Sequence, residues 1–214
     1  MYVPKAFRTD DAEAIGFLKE RAFGVLVAEG ADGPTGVQVP FLTLEHDDGS
    51  VSLELHVART NPIHEVIGES CRVLLICQGP DAYISPDWYG VADQVPTWAY
   101  RAVHVSGIAH VLPEPEIRGV VDRLSAHFET RLAPKKPWTS DKTAPEKLEA
   151  MTRAIVAIGV AVETIEGADK LNLHKGEPAL RGAAKGRAAR CRIARDWPAD
   201  GRAGRQEHKI LIPF

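Results

Sequence analysis

The stretch Val51-Ser-Leu-Glu-Leu-His-Val57 alternates apolar and polar residues with the period of two that a β-strand imposes on its side chains. Its aliphatic residues share one face, which we expect to be buried, and His56 lies on the opposite face. Shortly after the strand, Asn61-Pro62 favours the start of a short helix, because asparagine caps helices well and proline suits the first turn. We therefore expect a strand that carries polar side chains on its outer face and at its end.

Strand patterns also occur on both sides of this stretch. They cover residues 23–28, 36–44, 71–78, 98–112 and 155–162, and helices are predicted after Thr9-Asp10-Asp11, at 113–132 and at 145–153. Strands dominate this order and the helices lie at its periphery. The sequence therefore predicts a mainly β (α+β) fold, in which a β-barrel carries helical additions.

The composition is that of a soluble globular protein. The 214 residues are 44% hydrophobic and 26% charged, and no stretch approaches the roughly 20 apolar residues of a membrane span. The first residues lack the layout of a signal peptide, and Cys71, Cys77 and Cys191 show no CxxC spacing. We expect a protein of the reducing cytoplasm with no membrane segment.

The C-terminal part of the chain is basic. From Lys170 to Lys209 there are eleven Lys or Arg against four Asp or Glu, a local charge of +7 in a chain of net charge -3. Such a segment is able to contact nucleic acid or an acidic partner. The run Arg181–Arg190 has no large apolar residue to bury, which favours a solvated, unstructured tail instead. We expect the solvated tail and keep the polyanion contact as the alternative.

An aromatic segment lies between the predicted strands. Tyr83-Ile-Ser-Pro-Asp-Trp-Tyr89 and Val95-Pro-Thr-Trp-Ala-Tyr100 concentrate tyrosines, tryptophans and prolines in a chain that is 7% aromatic. Proline fixes the backbone dihedral, so this segment predicts a rigid aromatic surface. Two interpretations remain open: a surface that holds a flat ligand or a partner chain, and an aromatic lid over the β core.

Arg59 is the candidate anion-binding residue. It follows His56 and immediately precedes the predicted helix start, where a guanidinium and free helix N–H groups together suit a phosphate. The alternative is an ordinary surface arginine. The histidines show no ligand spacing typical of zinc, and no residue pattern identifies a nucleophile, acid or base, so we predict no metal site and no catalytic side chain.

Several of these motifs, in order along the chain, resemble the PaiB-type family, described as FMN-binding negative transcriptional regulators. The resemblance runs from residue 1 to about Lys170. The segments that carry it are Met1-Tyr-Val-Pro-Lys-Ala-Phe7, His56-Val-Ala-Arg-Thr-Asn-Pro62, Gln78-Gly-Pro-Asp-Ala-Tyr-Ile-Ser-Pro-Asp-Trp-Tyr89, Val95-Pro-Thr-Trp-Ala-Tyr100 and Val103-His-Val-Ser-Gly107.

The resemblance implies a split β-barrel of the flavin-reductase or pyridoxamine-oxidase type. It implies a domain over residues 1–170, a basic tail over 171–214, and a homodimer with FMN at the subunit interface. In this interpretation Arg59 holds the FMN phosphate and aromatic residues line the isoalloxazine ring. The implied cofactor-binding residues are His56, Arg59, Asn61, Tyr83, Ser85, Trp88, Trp98 and Lys170.

The chain also differs from the family pattern at the positions occupied by Val37, Gln38 and Ala99. The family often has a hydroxyl residue followed by histidine before the proline of the second strand, and an asparagine at position 99. A flavin site at these positions therefore lacks a hydroxyl, an imidazole and an amide that the family pattern supplies.

Three functions remain as hypotheses. The first is a flavin-binding protein, redox-active through its cofactor as an FMN-dependent oxidoreductase. The second is a transcriptional repressor that acts through DNA or a regulatory protein partner, with the basic tail contacting phosphates. The third is a related barrel that binds haem through His56 or His174.

Overall fold

The computed structural model describes residues 1–171 and 175–195. Its strands are β1 (Phe23–Gly30), β2 (Gly33–Glu45), β3 (Val51–Ala58), β4 (Cys71–Ile84), β5 (Thr97–Val111) and β6 (Ile155–Lys170). Its helices are α1 (Asp11–Arg21), α2 (Ile63–Ile67), α3 (Glu114–Thr130), α4 (Pro145–Arg153) and α5 (Glu177–Arg195).

The strands form a closed barrel in the order β1-β2-β3-β6-β5-β4. The pairs with a defined register are antiparallel, and β1 closes the ring by pairing with both β2 and β4. Closure leaves no sheet edge unpaired around the ring, which is the general advantage of a barrel. The prediction of a β-barrel with peripheral helices is confirmed.

The barrel interior is the main core, and the alternation in β3 explains it. Leu53, Leu55 and Val57 are buried as predicted, whereas Val51, at the strand start, is only partly buried. Helix α1 adds Phe17 and Leu18 to the same core. The predicted helix cap at Asp10 is also present, because its carboxylate accepts a 2.8 Å hydrogen bond from the backbone N–H of Glu13.

Helix α3 packs against the outside of the barrel over strands β2, β3 and β6. Its buried residues meet outward-facing residues of those strands in a second, smaller cluster. That cluster contains Leu42, Ile117, Val120, Leu124 and Ala157. Arg123 of α3 donates two 2.8 Å hydrogen bonds to the carboxylate of Glu54 on β3, which fixes the helix to the sheet.

The chain divides into two compact units. The barrel unit comprises Met1–Asp81 and Trp98–Leu171, and the aromatic unit comprises Ala82–Thr97 together with residues 175–195. The aromatic unit was not predicted, because its two segments are far apart in sequence. Residues 177–195, expected to be part of a solvated tail, instead form helix α5. Among the described residues no helix is long and apolar enough to cross a membrane.

Candidate functional site

Arg59 lies directly after β3 and binds three successive backbone carbonyls. Its backbone N–H donates to the carbonyl of Ala154 at 2.8 Å, its Nε donates to Arg153 at 2.8 Å, and its Nη2 donates to Ile155 at 3.0 Å. Helix α4 ends at Arg153, so its last carbonyls have no partner within the helix. Arg59 therefore ties the end of α4 and the start of β6 to the end of β3.

The guanidinium of Arg59 keeps part of its donor capacity. The Nη2 also lies 3.6 Å from the carboxylate of Glu114, whose side chain is exposed. The Nη1 has no partner among the residues that the structure describes, and the side chain is 44% exposed. A guanidinium held on one edge by carbonyls and open on the other has the donors that a phosphate oxygen accepts from. The donor set fits an anion such as the FMN phosphate.

The helix start predicted after Asn61-Pro62 is present, but the helix is short. Helix α2 has only five residues, Ile63–Ile67, so its dipole is small. The Oδ1 of Asn61 also accepts the backbone N–H of Ile63 at 3.0 Å, which uses one of the free donors. Any anion affinity at this place depends on the arginine and on the amide group of Asn61.

His56 lies on the outer face of β3, as the alternation predicted. It pairs with Ala157 of β6, which belongs to the cluster beneath α3. Burial lowers the pKa of the His56 imidazole, so the ring is neutral near pH 7. Its Nδ1 is buried and has no hydrogen-bond partner among the described residues. A buried nitrogen of this kind is an unmet polar group near Arg59 in sequence. The alternative haem ligand His174 lies outside the described residues.

Lys170 and Arg59 lie beside opposite ends of strand β6. Ile155 at the start of β6 pairs with Ala58, next to Arg59, whereas Lys170 is the last residue of that strand. At about 3.3 Å per residue, the two ends of β6 are about 50 Å apart along the strand. The ammonium of Lys170 lies 6.0 Å from the ring centre of Phe7 and 5.9 Å from that of Tyr100. These two candidate residues therefore lie beside opposite ends of one strand.

The aromatic candidates divide between the two units. In the barrel unit, Trp98 on β5 is 54% exposed. In the aromatic unit, Tyr83 is 38% exposed and Ser85 precedes the short 3-10 helix Pro86–Tyr89. Ala99, where the family has asparagine, is partly buried beside Trp98. Trp98 and Tyr83 present large aromatic surfaces to solvent.

Trp88 has a packing role that the sequence analysis did not predict. A Cβ built on Gly186 of α5 would overlap the Cγ and Cδ2 of the Trp88 ring and would lie 2.8 Å from its Cδ1. Such overlap means that the helix backbone lies directly against the ring. The neighbouring Tyr89 is buried, and the Lys175 ammonium lies 4.7 Å from its ring centre. Trp88 and Tyr89 are therefore anchors of the aromatic unit.

An apolar face on the outside of the barrel was missed by the sequence analysis. We call it the bare face. It consists of the partly buried aliphatic residues Val25, Val27, Leu74, Ile76 and Ile108. None of the five packs into either core cluster. Val25 pairs with Ile76 and Val27 with Leu74, so four of them form a compact block across β1 and β4.

The sequence did carry a signal for the bare face. Gly24–Ala28 and Arg72–Cys77 are nearly continuous aliphatic runs rather than alternating ones, which is typical of strands covered on both faces. Gln38, one of the departures from the family pattern, pairs directly with Val25. A second departure, Val37, packs against the barrel core. Thus Gln38 lies at the margin of the bare face, and Val37 does not.

No metal centre is formed in the part of the chain that the structure describes, because no three His, Cys, Asp or Glu side chains are grouped there. Burial raises the pKa of the Cys77 thiol to about 12, so this cysteine is a poor nucleophile at neutral pH.

Comparison with known proteins places these features in a family. The family model described as "Putative FMN-binding domain" matches residues 1–164. The chain is 35% identical over 179 residues to Protease synthase and sporulation protein PAI 2 of Bacillus subtilis (strain 168), a match that covers 83% of this chain and 84% of that protein.

Solved structures with a similar fold include two mycobacterial proteins. The FAD and haem binding protein of Mycobacterium smegmatis has a TM-score of 0.55 at 15% identity, and the match covers 76% of this chain and 72% of that one. The conserved hypothetical protein Rv2991 of Mycobacterium tuberculosis has a TM-score of 0.53 at 17% identity, with 79% and 91% covered. At these identities the likeness shows the fold alone.

The family match, together with the identity to the Bacillus subtilis protein, confirms the predicted family, the split-barrel fold and FMN as its cofactor. This chain belongs to the PaiB-type family of FMN-binding split-barrel proteins.

Proposed function

We propose that this protein binds FMN at the interface of a homodimer and that Arg59 holds the flavin phosphate. The observation that carries the proposal is the Arg59 guanidinium, fixed by the carbonyls of Arg153 and Ile155 while Nη1 keeps its donors. A side chain already held in one orientation loses little entropy when a phosphate binds. Asn61 is the neighbouring polar contact, since its amide N–H₂ is not used in capping α2.

The separation of the candidate residues supports a dimeric site. Arg59 and Lys170 lie beside opposite ends of β6, an arrangement that suits a site to which each of two subunits contributes one of them. In such a site one subunit contributes the phosphate contact and the other contributes Lys170. Trp98 and Tyr83 expose aromatic surface that suits stacking on an isoalloxazine ring.

The bare face supports the same assembly. The aliphatic residues of this face are partly buried and pack into neither core cluster, so a partner chain is able to bury their remaining apolar surface. A second copy of the chain, meeting this face with the same face of its own, buries both patches by two-fold symmetry. We therefore assign the bare face to the homodimer interface.

Bound FMN supplies hydride or electron transfer, and the chain supplies the surroundings. Arg59 neutralises the phosphate, the exposed aromatic residues orient the ring, and His56 remains uncharged at neutral pH because of its burial. No acid or base is assigned among the described residues. The proposal is therefore a flavin carrier or an FMN-dependent oxidoreductase whose reactivity is that of the flavin.

Helix α5 favours a second candidate, regulation through a polyanion. Arg181, Lys185 and Arg187 are exposed on this helix, and the name of the Bacillus subtilis relative connects that protein with protease synthesis and sporulation. Lysine and arginine side chains bind the phosphates of a DNA duplex rather than its bases. Binding to a duplex is therefore expected to weaken steeply between about 50 and 200 mM salt. Fluorescence anisotropy with a labelled duplex tests it, and absence of binding at low salt removes this candidate.

The first proposal is tested by titrating FMN into Arg59→Ala. We expect a loss of affinity of about tenfold to a hundredfold, since charge-assisted hydrogen bonds contribute about 1.5–3 kcal/mol each. Arg59→Lys keeps the charge but not the fork, and is expected to recover only part of the affinity. Flavin fluorescence quenching gives the dissociation constants.

Arg153→Ala is the matched control. It removes a nearby positive side chain that pairs with Glu149, yet it keeps the backbone carbonyl that Arg59 binds. We expect its FMN affinity to equal that of the wild type. Equal affinity of Arg59→Ala and wild type, with both folded by circular dichroism, excludes Arg59 from the phosphate site.

A further inference from the structure

We propose that helix α5 positions the aromatic segment, residues 82–97, and that Gly182 and Gly186 are the residues through which it does so. The inference concerns a helix outside the part of the chain that the family model matches, residues 1–164. The segment it contacts carries Tyr83, Ser85 and Trp88, which are candidate flavin residues. The consequence for flavin rests on the proposed function, whereas the positioning itself does not.

The contact between α5 and Trp88 requires glycine at two positions. A Cβ at Gly182 would overlap the backbone carbonyl oxygen of Trp88, and one at Gly186 would overlap its ring. The two glycines are four residues apart, so they lie on the same face of the helix. Any larger residue there forces either Trp88 or the helix to move, because the atoms met at Gly182 are backbone rather than the end of a flexible chain.

The helix face that carries the two glycines also has small, buried alanines. Ala179 and Ala183 are buried, and together with the two glycines they follow the i, i+3, i+4, i+7 spacing of one helical face. The opposite side of the helix includes Ala184, which is exposed. Burial of alanine and glycine on one face lets the helix approach Trp88 closely over two turns.

A second contact fixes the segment from the residue that precedes the helix. The ammonium of Lys175 lies over the ring of Tyr89 at 4.7 Å and donates a hydrogen bond to the side-chain oxygen of Gln94. Lys175 therefore contacts both the 3-10 helix Pro86–Tyr89 and the loop after it. A cation over an aromatic ring contributes more when it is partly desolvated, and this lysine is partly buried.

The aromatic segment has little structure that would hold it without α5. Its regular elements are the end of β4 at Ile84 and the 3-10 helix of four residues. Gly90 and Asp93 have positive φ angles of 66° and 58°, which mark turns rather than a paired strand. In this segment only Ile84 and Tyr89 are buried. Between the end of β4 and the start of β5, the contacts of Trp88 with α5 and of Tyr89 and Gln94 with Lys175 position this segment.

The test compares Gly186→Leu with Ala184→Leu in the full-length protein. Both add the same bulk to the same helix, one against Trp88 and one into solvent. Hydrogen exchange read on peptides is expected to rise by about tenfold or more over residues 82–97 in Gly186→Leu, with the barrel strands unchanged. Ala184→Leu is expected to match the wild type. Unchanged exchange over 82–97 in Gly186→Leu overturns the proposal.

If Gly186→Leu fails to fold, Lys175→Met tests the positioning of the aromatic segment instead. This variant keeps the length of the side chain and removes its charge, so it weakens the contacts with Tyr89 and Gln94 without adding bulk. We expect faster exchange over residues 86–94 alone. Exchange that stays at the wild-type rate there contradicts the positioning role.

FMN binding by the same proteins separates this inference from the proposed function. We expect the dissociation constant to rise about tenfold in Gly186→Leu, equivalent to about 1.4 kcal/mol, and to stay unchanged in Ala184→Leu. If the wild-type protein binds no FMN, the proposed function fails, while the exchange comparison still decides whether α5 positions the segment. Loss of order without loss of affinity would show that the segment does not contact flavin.

Discussion

The barrel unit and the aromatic unit are stabilised in different ways. In the barrel unit every strand has neighbours on both sides, and one large apolar cluster fills the interior. In the aromatic unit a short segment is held by one helix, through two glycines and one lysine. The first arrangement distributes stability over many contacts, whereas the second concentrates it at a few. We therefore expect the barrel to be sensitive to lost volume and the aromatic unit to added volume.

The largest effect is expected from removing volume inside the barrel. Phe41 on β2 is fully buried, so Phe41→Ala is expected to lower the free energy of unfolding by about 3–5 kcal/mol. Phe23→Ala, on the adjacent strand but 42% exposed, is the control and is expected to cost much less. Urea unfolding followed by circular dichroism measures both. Equal losses in the two variants would mean that the barrel interior is not the main source of stability.

A charged substitution on the bare face tests whether this outer surface of the barrel is buried between two subunits. Leu74→Lys places a charge in this apolar block, and we expect the dimer to weaken by about a hundredfold or more while the barrel stays folded. Leu132→Lys changes another exposed leucine away from this face and is expected to leave the dimer intact.

Light scattering after size exclusion measures the mass against the 23.3 kDa of one chain. The account predicts twice that mass for wild type and Leu132→Lys, and the single-chain mass for Leu74→Lys. A wild-type protein that runs as a monomer at high concentration would contradict the assignment of the bare face.

A smaller effect is expected from pH, through His56 in the barrel unit. Burial lowers the pKa of His56 in the folded protein below its value in the unfolded chain, which is about 6.5. At a pH between these two pKa values, the unfolded state binds more protons than the folded state. The free energy of unfolding should therefore fall as the pH decreases from 7 through 6.5 towards the folded-state pKa.

His56→Gln is expected to reduce this pH dependence, and His46→Gln, at an exposed histidine, is expected to preserve it. His104 also has a pKa lowered by burial, so part of the slope remains in both variants. Urea midpoints measured between pH 5.5 and 7.5 give the slopes. A slope unchanged by His56→Gln would show that this ring is not neutral and buried in the folded protein.

The two units also differ in how far the sequence predicted them. Period-two alternation predicted β3 and the outward position of His56, and the Asp10 cap was evident because its signal is local. The barrel was predicted from the succession of such strands, since the alternation in each strand indicates which of its faces is buried. The sequence singles out Arg59, but the bonds of Arg59 to Arg153 and Ile155 join segments far apart in sequence, and no local pattern indicates them.

The aromatic unit was missed for the same physical reason. A sequence without large apolar residues, such as 181–190, predicts a solvated chain when its partner is unknown. In the folded protein the large apolar side chain that this helix packs against is that of Trp88, about a hundred residues earlier, which lies against Gly182 and Gly186. The positions of Arg59 and Lys170 beside opposite ends of β6 were not predicted either. The sequence predicted a strand over 155–162, and the pairing with β3 and β5 extends that strand to Lys170.

The most direct test of the central claim is the absorption spectrum of the purified full-length protein, recorded before and after addition of FMN and desalting. The account predicts retained flavin bands at about one FMN per chain, carried by a species of twice the chain mass. A colourless protein that releases all added FMN on desalting would contradict it, and a Soret band would assign the barrel to haem instead.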